Sequence, residues 1–254
     1  MFLNKVIRLL TVTALLTVSI ISQAETTIVA VAANFTKPMT DIADVFEKTT
    51  GHSAKLAFGS SGKFVAQIKN GAPFEVFLAA DDKNPTVLQK EGFAVANSNF
   101  TYSIGKLVLW SATANLVDNQ GEILSKGGFK HIAFADPKLA PYGVAATEVL
   151  KNQNLLDKLK PLFVQGENIN QTYQFISTGN AELGFVALSQ VMDNGKITSG
   201  SAWIIPETLY TPIHQDAVLL KKGEANPAAL ALLQFLKSPE AKAIISKYGY
   251  GLAN

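Results

Sequence analysis

Along the chain, short runs of consecutive apolar residues alternate with longer segments in which apolar positions return every three to four residues. "TIVAVAA" (Thr27 to Ala33) is apolar almost throughout, as a strand covered on both faces must be. In the following "PMTDIADVFEKTTG", Met39, Ile42, Ala43 and Phe46 fall at i, i+3, i+4 and i+7, which predicts an amphipathic helix. Pro38 is tolerated in its first turn and Gly51 closes it. "AKLAF" then predicts a strand, Gly62 to Asn70 a helix ended by Gly71, "FEVFLAA" a strand, and "NPTVLQKEGF" a helix opened by Asn84-Pro85. This alternation predicts a parallel sheet with covered faces.

A second series begins at "KLVLWSA" (Lys106 to Ala112) and runs through "HIAFADP", "YGVAATEVLKN", "LFVQGEN", "INQTYQFISTG" and "AELGFVALS". A strand "DAVLLKKG" (Asp216 to Gly223) precedes two helices, "NPAALALLQFLKS" and "SPEAKAIISKYG". The pattern predicts two α/β lobes in succession, with the terminal helices returning to the first. Trp110 and Trp203 are assigned to the second lobe's core.

The N-terminus changes the reading of charge. Lys5 and Arg8 precede an apolar stretch from Leu9 to Ile21, and Ser22-Gln23-Ala24 offers small residues for cleavage. This is the layout of a secretory signal peptide over residues 1–24, and the apolar stretch is shorter than the roughly 20 residues that span a bilayer. Cleavage after Ala24 removes two of the 22 basic residues and none of the 20 acidic ones, so the net charge of +2 falls to zero. A neutral chain is not expected to bind nucleic acid or a membrane surface. The chain has no cysteine, which excludes a disulfide scaffold, a thiolate metal site and a lipoprotein anchor. The expected location is the periplasm, where ATP is not available.

"LAFGSSGKFVAQI" (Leu56 to Ile68) raises the question of chemistry. A phosphate-binding P-loop needs four residues between its first glycine and the Gly-Lys pair, then Ser or Thr; here two intervene and Phe64 follows Lys63. A nucleophile elbow needs Gly-x-Ser-x-Gly, which "FGSSGK" does not supply. His52, His131 and His214 are scattered, without metal-ligand spacing, and read as surface or satisfied core positions. What is left is a strand, a turn of hydroxyl residues and a helix start. The first N–H groups of a helix lack internal partners and sit at the positive end of its dipole, so such a turn holds an anion without a formal countercharge. The competing reading is that Ser60 or Ser61 caps its own helix.

The same junction recurs. "VAANFTKPM" brings Asn34 and Thr36 to a helix start, "ADPKLAPYGVAA" brings Tyr142 and Gly143, and "QGENINQTYQF" brings Asn168 and Ile169. In α/β sheets such turns lie at the carboxyl ends of strands, where ligands bind.

These segments resemble the molybdate-binding periplasmic proteins (ModA) of ABC transporters, over nearly the whole mature chain. The resemblance is carried by "VAANFTKPMTDIADVFEKTTG", "FGSSGKFVAQIKNGAPFEVFLAAD", "FADPKLAPYGVAATEVL", "GENINQTYQFISTGNAELGFVALS" and "FLKSPEAKAIISKYGYG". It implies a type II periplasmic binding fold, two α/β lobes with a hinge and a ligand cleft between them. Lobe 1 would comprise residues 25–104 and 213–254 and lobe 2 residues 105–212, joined near Tyr102 to Lys106 and Tyr210 to His214. The family's site falls on Asn34, Ser61, and the main chain of Tyr142 and Ile169. A tyrosine common in the family is replaced by Ala187 in "LGFVALS", and an arginine by Asn170. The Tyr142 phenol is therefore expected to supply the missing donor, as in a branch of the family.

The resemblance implies a non-enzymatic chain with no catalytic residue and no cofactor. Molybdenum would be held only as its oxyanion, without direct protein–metal ligands. Expected partners are a tetrahedral oxyanion and the permease and ATPase of an importer, and the protein itself is expected to be a monomer. A pocket of neutral donors would reject monohydrogen phosphate, whose proton needs an acceptor, and would exclude sulfate only by size. Molybdate and tungstate are expected to bind alike. The alternatives are the same fold binding sulfate, another small oxyanion or an organic anion, and a secreted serine hydrolase using Ser61. Lys63 is expected to project into solvent.

Overall fold

The structure, a computed structural model, describes residues 24–253. The predicted signal segment therefore lies, except for Ala24, outside the described residues.

The first lobe is built from β1 (Thr26–Ala32), α1 (Thr36–Thr50), β2 (Ser53–Gly59), α2 (Ser61–Lys69), β3 (Val76–Leu78), α3 (Lys83–Lys90) and β4 (Phe100–Gly105). Lys106 alone separates β4 from β5 (Leu107–Ser111), which opens the second lobe. That lobe continues with α4 (Ile123–Lys126), β6 (Ile132–Ala135), α5 (Pro141–Asn152), α6 (Leu156–Leu159), β7 (Phe163–Gly166), α7 (Ile169–Ser177), β8 (Leu183–Ala187) and α8 (Leu188–Val191). A small hairpin, β9 (Met192–Asp193) and β10 (Lys196–Ile197), leads to β11 (Ser201–Ile204). The chain then recrosses to β12 (Ile213–Leu219), α9 (Pro227–Phe235) and α10 (Pro239–Lys247).

The expected all-parallel pairing is corrected by the topology. One sheet runs β2-β1-β3-β12-β4 and the other β11-β5-β8-β6-β7. In each, four strands run in one direction and a single strand, β12 in the first sheet and β5 in the second, runs against them. The antiparallel strands flank the crossings between lobes, so one continuous path enters each sheet against the direction of its βα units. Strands β4 and β11 have partly buried, mixed patterns (Phe100, Thr101 and Tyr102 in one, Ser201 and Ala202 in the other), which hid them from a search for apolar runs. Strand β12 begins at Ile213 rather than Asp216, because Gln215 and Asp216 are buried despite their polarity.

Local signals held where their chemistry was specific. Gly51 ends α1 in the left-handed conformation (φ 75°) and returns its N–H to Glu47 O at 2.9 Å. The α3 start is different: Asp81, not Asn84, takes the capping role, accepting the Asn84 N–H at 2.6 Å and its side-chain amide at 2.7 Å. Phe35, Met39, Ile42 and Phe46 pack with Leu232, Phe235 and Ile245 of α9 and α10, so the terminal helices close the first lobe's core. Trp203 and Trp110 lie in two clusters of the second lobe, as expected. Trp110 donates its indole N–H to Ser199 O at 2.9 Å, the partner a buried indole needs.

Candidate functional site

Four strand-to-helix turns meet at one small cavity between the lobes. From lobe 1 come the short 3-10 turn Ala33–Phe35 after β1 and the Gly59-Ser60-Ser61 turn after β2; from lobe 2 come Ala140-Pro141-Tyr142 after β6 and Asn168-Ile169 after β7. Asn34, Ser61, Tyr142 and Ile169 all line it, and each is at most 3% exposed. An ion cannot reach groups so buried unless the lobes part.

No residue lining the cavity carries a charge. Its polarity comes from helix starts. Ser61 is the first residue of α2 and Ile169 the first of α7, while Tyr142 follows Pro141 in the first turn of α5. N–H groups at these positions have no intrahelical acceptor. No side chain caps α2 or α5. Asn168 does cap α7, but through the Asn170 and Gln171 N–H groups at 2.9 and 3.0 Å, which leaves the Ile169 N–H uncapped. Pro141 removes one donor from the α5 start and so singles out the Tyr142 N–H.

The capping reading of the two serines is set aside by this geometry. Ser61 Oγ accepts the Ala80 N–H at 3.0 Å instead of capping α2. Ser60 Oγ, also on the cavity wall, is buried with no hydrogen-bond partner among the described residues. A buried hydroxyl without a partner costs about 1–3 kcal/mol, so a hydroxyl left in that state on a cavity wall is a donor awaiting a guest. Only Ser61 of the pair was expected at the site, because that is where the family resemblance falls.

Asn34 departs from expectation. Its Nδ2 donates to Gln215 Oε1 and to Tyr250 Oη, both at 2.9 Å, so its two side-chain hydrogens are spent inside the protein. Tyr250 Oη in turn donates to Asn34 O at 2.8 Å, and Ser189 Oγ of the second lobe does the same at 2.8 Å. Gln215 Nε2 donates to Tyr142 Oη at 3.1 Å. Burial raises the Tyr142 and Tyr102 phenols well above their ordinary range, so both keep their hydrogens. Gln215, Ser189, Tyr102 and Tyr250 were not found from sequence. The available signal was the polar pair Gln215-Asp216 interrupting an apolar run.

Ala187 does not line the cavity; it is fully buried in β8, its N–H donating to Gln190 Oε1. Asn170 Nδ2 donates to Thr36 Oγ1 at 3.0 Å and its Oδ1 accepts from Gln190 Nε2 at 2.8 Å, tying α7 to α1 across the lobes. Lys63 is exposed, as expected, and it also pairs with Glu167 of the other lobe, both side chains half-exposed. The Gly62 N–H reaches Leu139 O at 3.0 Å in the same interlobe seam.

A roomier groove of about 290 Å³ opens nearby, between Asp81–Asn84 and Pro137–Ala145. Asp81, Asp82 and Glu148 stand on its wall against Lys83 and Lys138, so acids outnumber lysines there. Burial already raises the Asp81 carboxyl above its usual range, and an anion beside it would be repelled. For an anion the small neutral cavity is the better site despite its size.

Comparison with known proteins agrees with this reading of the fold. Residues 27–251 match the model of the bacterial extracellular solute-binding protein family. The molybdate-binding protein ModA of Azotobacter vinelandii is 58% identical over 231 residues, covering 91% of this chain and 92% of its own. This chain belongs to the ModA family. The ModA of Rhodobacter capsulatus is 54% identical, over 88% of this chain and 87% of its own. A solved structure, the Azotobacter vinelandii periplasmic molybdate-binding protein, superposes with a TM-score of 0.87 at 44% identity, covering 90% of this chain and all of that one.

Proposed function

We propose that the protein is the periplasmic solute-binding component of an ABC importer, a monomer that captures molybdate or tungstate as the intact tetrahedral dianion between its lobes and presents it to the membrane permease and ATPase. The observation that carries this is the uncharged cavity at four helix starts, in a chain 58% identical to a molybdate-binding protein. The N–H groups of Asn34, Ser61, Tyr142 and Ile169 and the hydroxyls of Ser60 and Ser61 are the donors. Hydrogen bonds to a charged group contribute roughly 1.5–3 kcal/mol each, so several of them support tight capture without Lys or Arg. Donors come from both lobes, and only the closed form engages all of them, so the anion favours closure. The protein acts by binding; no catalytic step is assigned to Ser61.

Calorimetric titration of refolded, ligand-free protein with molybdate, tungstate, sulfate and phosphate tests this. One-to-one tight binding of the first two, with the others weak, is the expected outcome. Sulfate binding as tightly as molybdate would replace the reading with that of a general oxyanion receptor.

A further inference from the structure

Behind the cavity, one buried amide joins Asn34 to Tyr142. Gln215 is fully buried on β12, where the pairing with β4 shifts register between Gln215 and Asp216. Such bulges re-aim side chains next to functional sites. Gln215 Oε1 lies 2.9 Å from Asn34 Nδ2 and 3.0 Å from Tyr102 Oη, and Nε2 lies 3.1 Å from Tyr142 Oη. The chain makes room for this last bond at Gly105: a Cβ there would stand 2.3 Å from Tyr142 Oη and 2.4 Å from Gln215 Nε2.

A carboxamide has donors at one end and an acceptor at the other, and a half-turn of the group exchanges them at unchanged heavy-atom positions. In the arrangement described, Asn34 donates to Gln215 and Tyr250, Gln215 donates to Tyr142, and the Tyr142 hydrogen is not spent on Gln215. Turning Asn34 alone would set two amide oxygens 2.9 Å apart. Turning Gln215 alone would set two NH2 groups against each other. Turning both restores every Gln215 contact, and the single Tyr250 hydrogen moves from Asn34 O, which keeps that of Ser189 Oγ, to the Asn34 side-chain oxygen. Gln215 then donates to Asn34 and to Tyr102, whose own hydrogen goes to Ala79 O at 3.1 Å. Tyr250 donates to Asn34, Tyr142 donates to Gln215, and the Asn34 NH2 group is released from its two former acceptors.

Resting on the oxyanion-binding reading, we propose that Gln215 is a positioning residue that makes the Asn34 amide and the Tyr142 phenol alternative donors, so that a bound anion receives one of them and never both. Removing either donor leaves the other in service; removing both leaves none.

Molybdate affinities of wild type, Asn34→Ala, Tyr142→Phe and the double variant, measured by calorimetry, test the coupling. Each single substitution is expected to weaken binding less than about tenfold, and the double variant to exceed the product of the two by roughly tenfold or more. In a Gln215→Leu background the losses should simply multiply, because both donors then act independently. Gly105→Ala, which forces Tyr142 and Gln215 apart, serves the same purpose if the leucine variant does not fold. In wild type, molybdate should shift the side-chain amide NMR signals of Asn34 and Gln215 together. Losses that multiply in wild type, an excess that persists without Gln215, or one amide shifting alone would overturn the proposal. A wild-type protein that takes up no molybdate would instead overturn the functional reading, and this inference with it.

Discussion

The first lobe's sheet runs β2-β1-β3-β12-β4 and the second's β7-β6-β8-β5-β11. In both, the edge strand and its neighbour (β2 and β1, β7 and β6) each feed a helix whose start faces the cavity. The two lobes therefore present topologically equivalent turns to one another. Their chemistry differs. On the proposed reading lobe 1 adds the side-chain hydroxyls of Ser60 and Ser61 to its main-chain N–H groups, whereas lobe 2 brings main-chain N–H groups at Tyr142 and Ile169, isolated by Pro141 and by the Asn168 cap. One scaffold position can thus serve the same ligand through side chain or backbone. The practical difference is that side-chain substitutions test lobe 1, while lobe 2 must be tested through its backbone.

The largest effect is expected from Ile169→Pro. Proline is tolerated at the first helical position, and Asn168 before it is already extended (φ −145°, ψ 172°), so the helix should form without that N–H. Loss of one bond to a dianion, about 1.5–3 kcal/mol, predicts molybdate binding weakened by roughly tenfold to over a hundredfold in calorimetry. Binding unchanged by this substitution would show that lobe 2 does not act through its main chain. Ser61→Ala comes next, at about 1–3 kcal/mol of affinity, read in the same titration; a neutral result would leave lobe 1 acting through backbone as well and erase the contrast. Asn168→Ala removes a cap that holds two N–H groups and should cost about 1 kcal/mol of stability in a denaturant melt, with a smaller loss of affinity.

Smaller still is the seam. Lys63→Gln breaks an exposed pair with Glu167 and should change affinity by at most about 1 kcal/mol, appearing mainly as faster molybdate release in stopped flow. The smallest effect expected is that of pH. The Tyr142 and Tyr102 phenols are held above their ordinary value of 10.0 by burial, so they stay protonated and their binding contribution should be flat from pH 7 to 9. With the folded pKa raised, the stability gained from keeping them neutral is complete below about pH 10. It is lost as pH rises beyond that, visible as a falling melting temperature. A drop in stability attributable to these tyrosines already at pH 8 would contradict their burial.

Periodicity and turn chemistry determined much of this molecule by themselves. Consecutive apolar residues in Val29–Ala32 and Leu107–Leu109 mark strands covered on both faces, and Met39, Ile42 and Phe46 mark a helix face, because burial constrains each residue separately. Helix starts within a residue of Ser61, Pro141 and Ile169 were legible because turn and proline preferences are local. Strand direction was not, because parallel and antiparallel strands bury the same apolar run. Tertiary structure alone decided which turns face each other, that Asn34 spends its amide on Gln215 and Tyr250, and that Lys63 reaches Glu167. These are contacts between residues up to 216 positions apart, such as Asn34 and Tyr250. A hydrogen-bond partner is set by where the lobes place two atoms in space, and no local pattern in either segment records it.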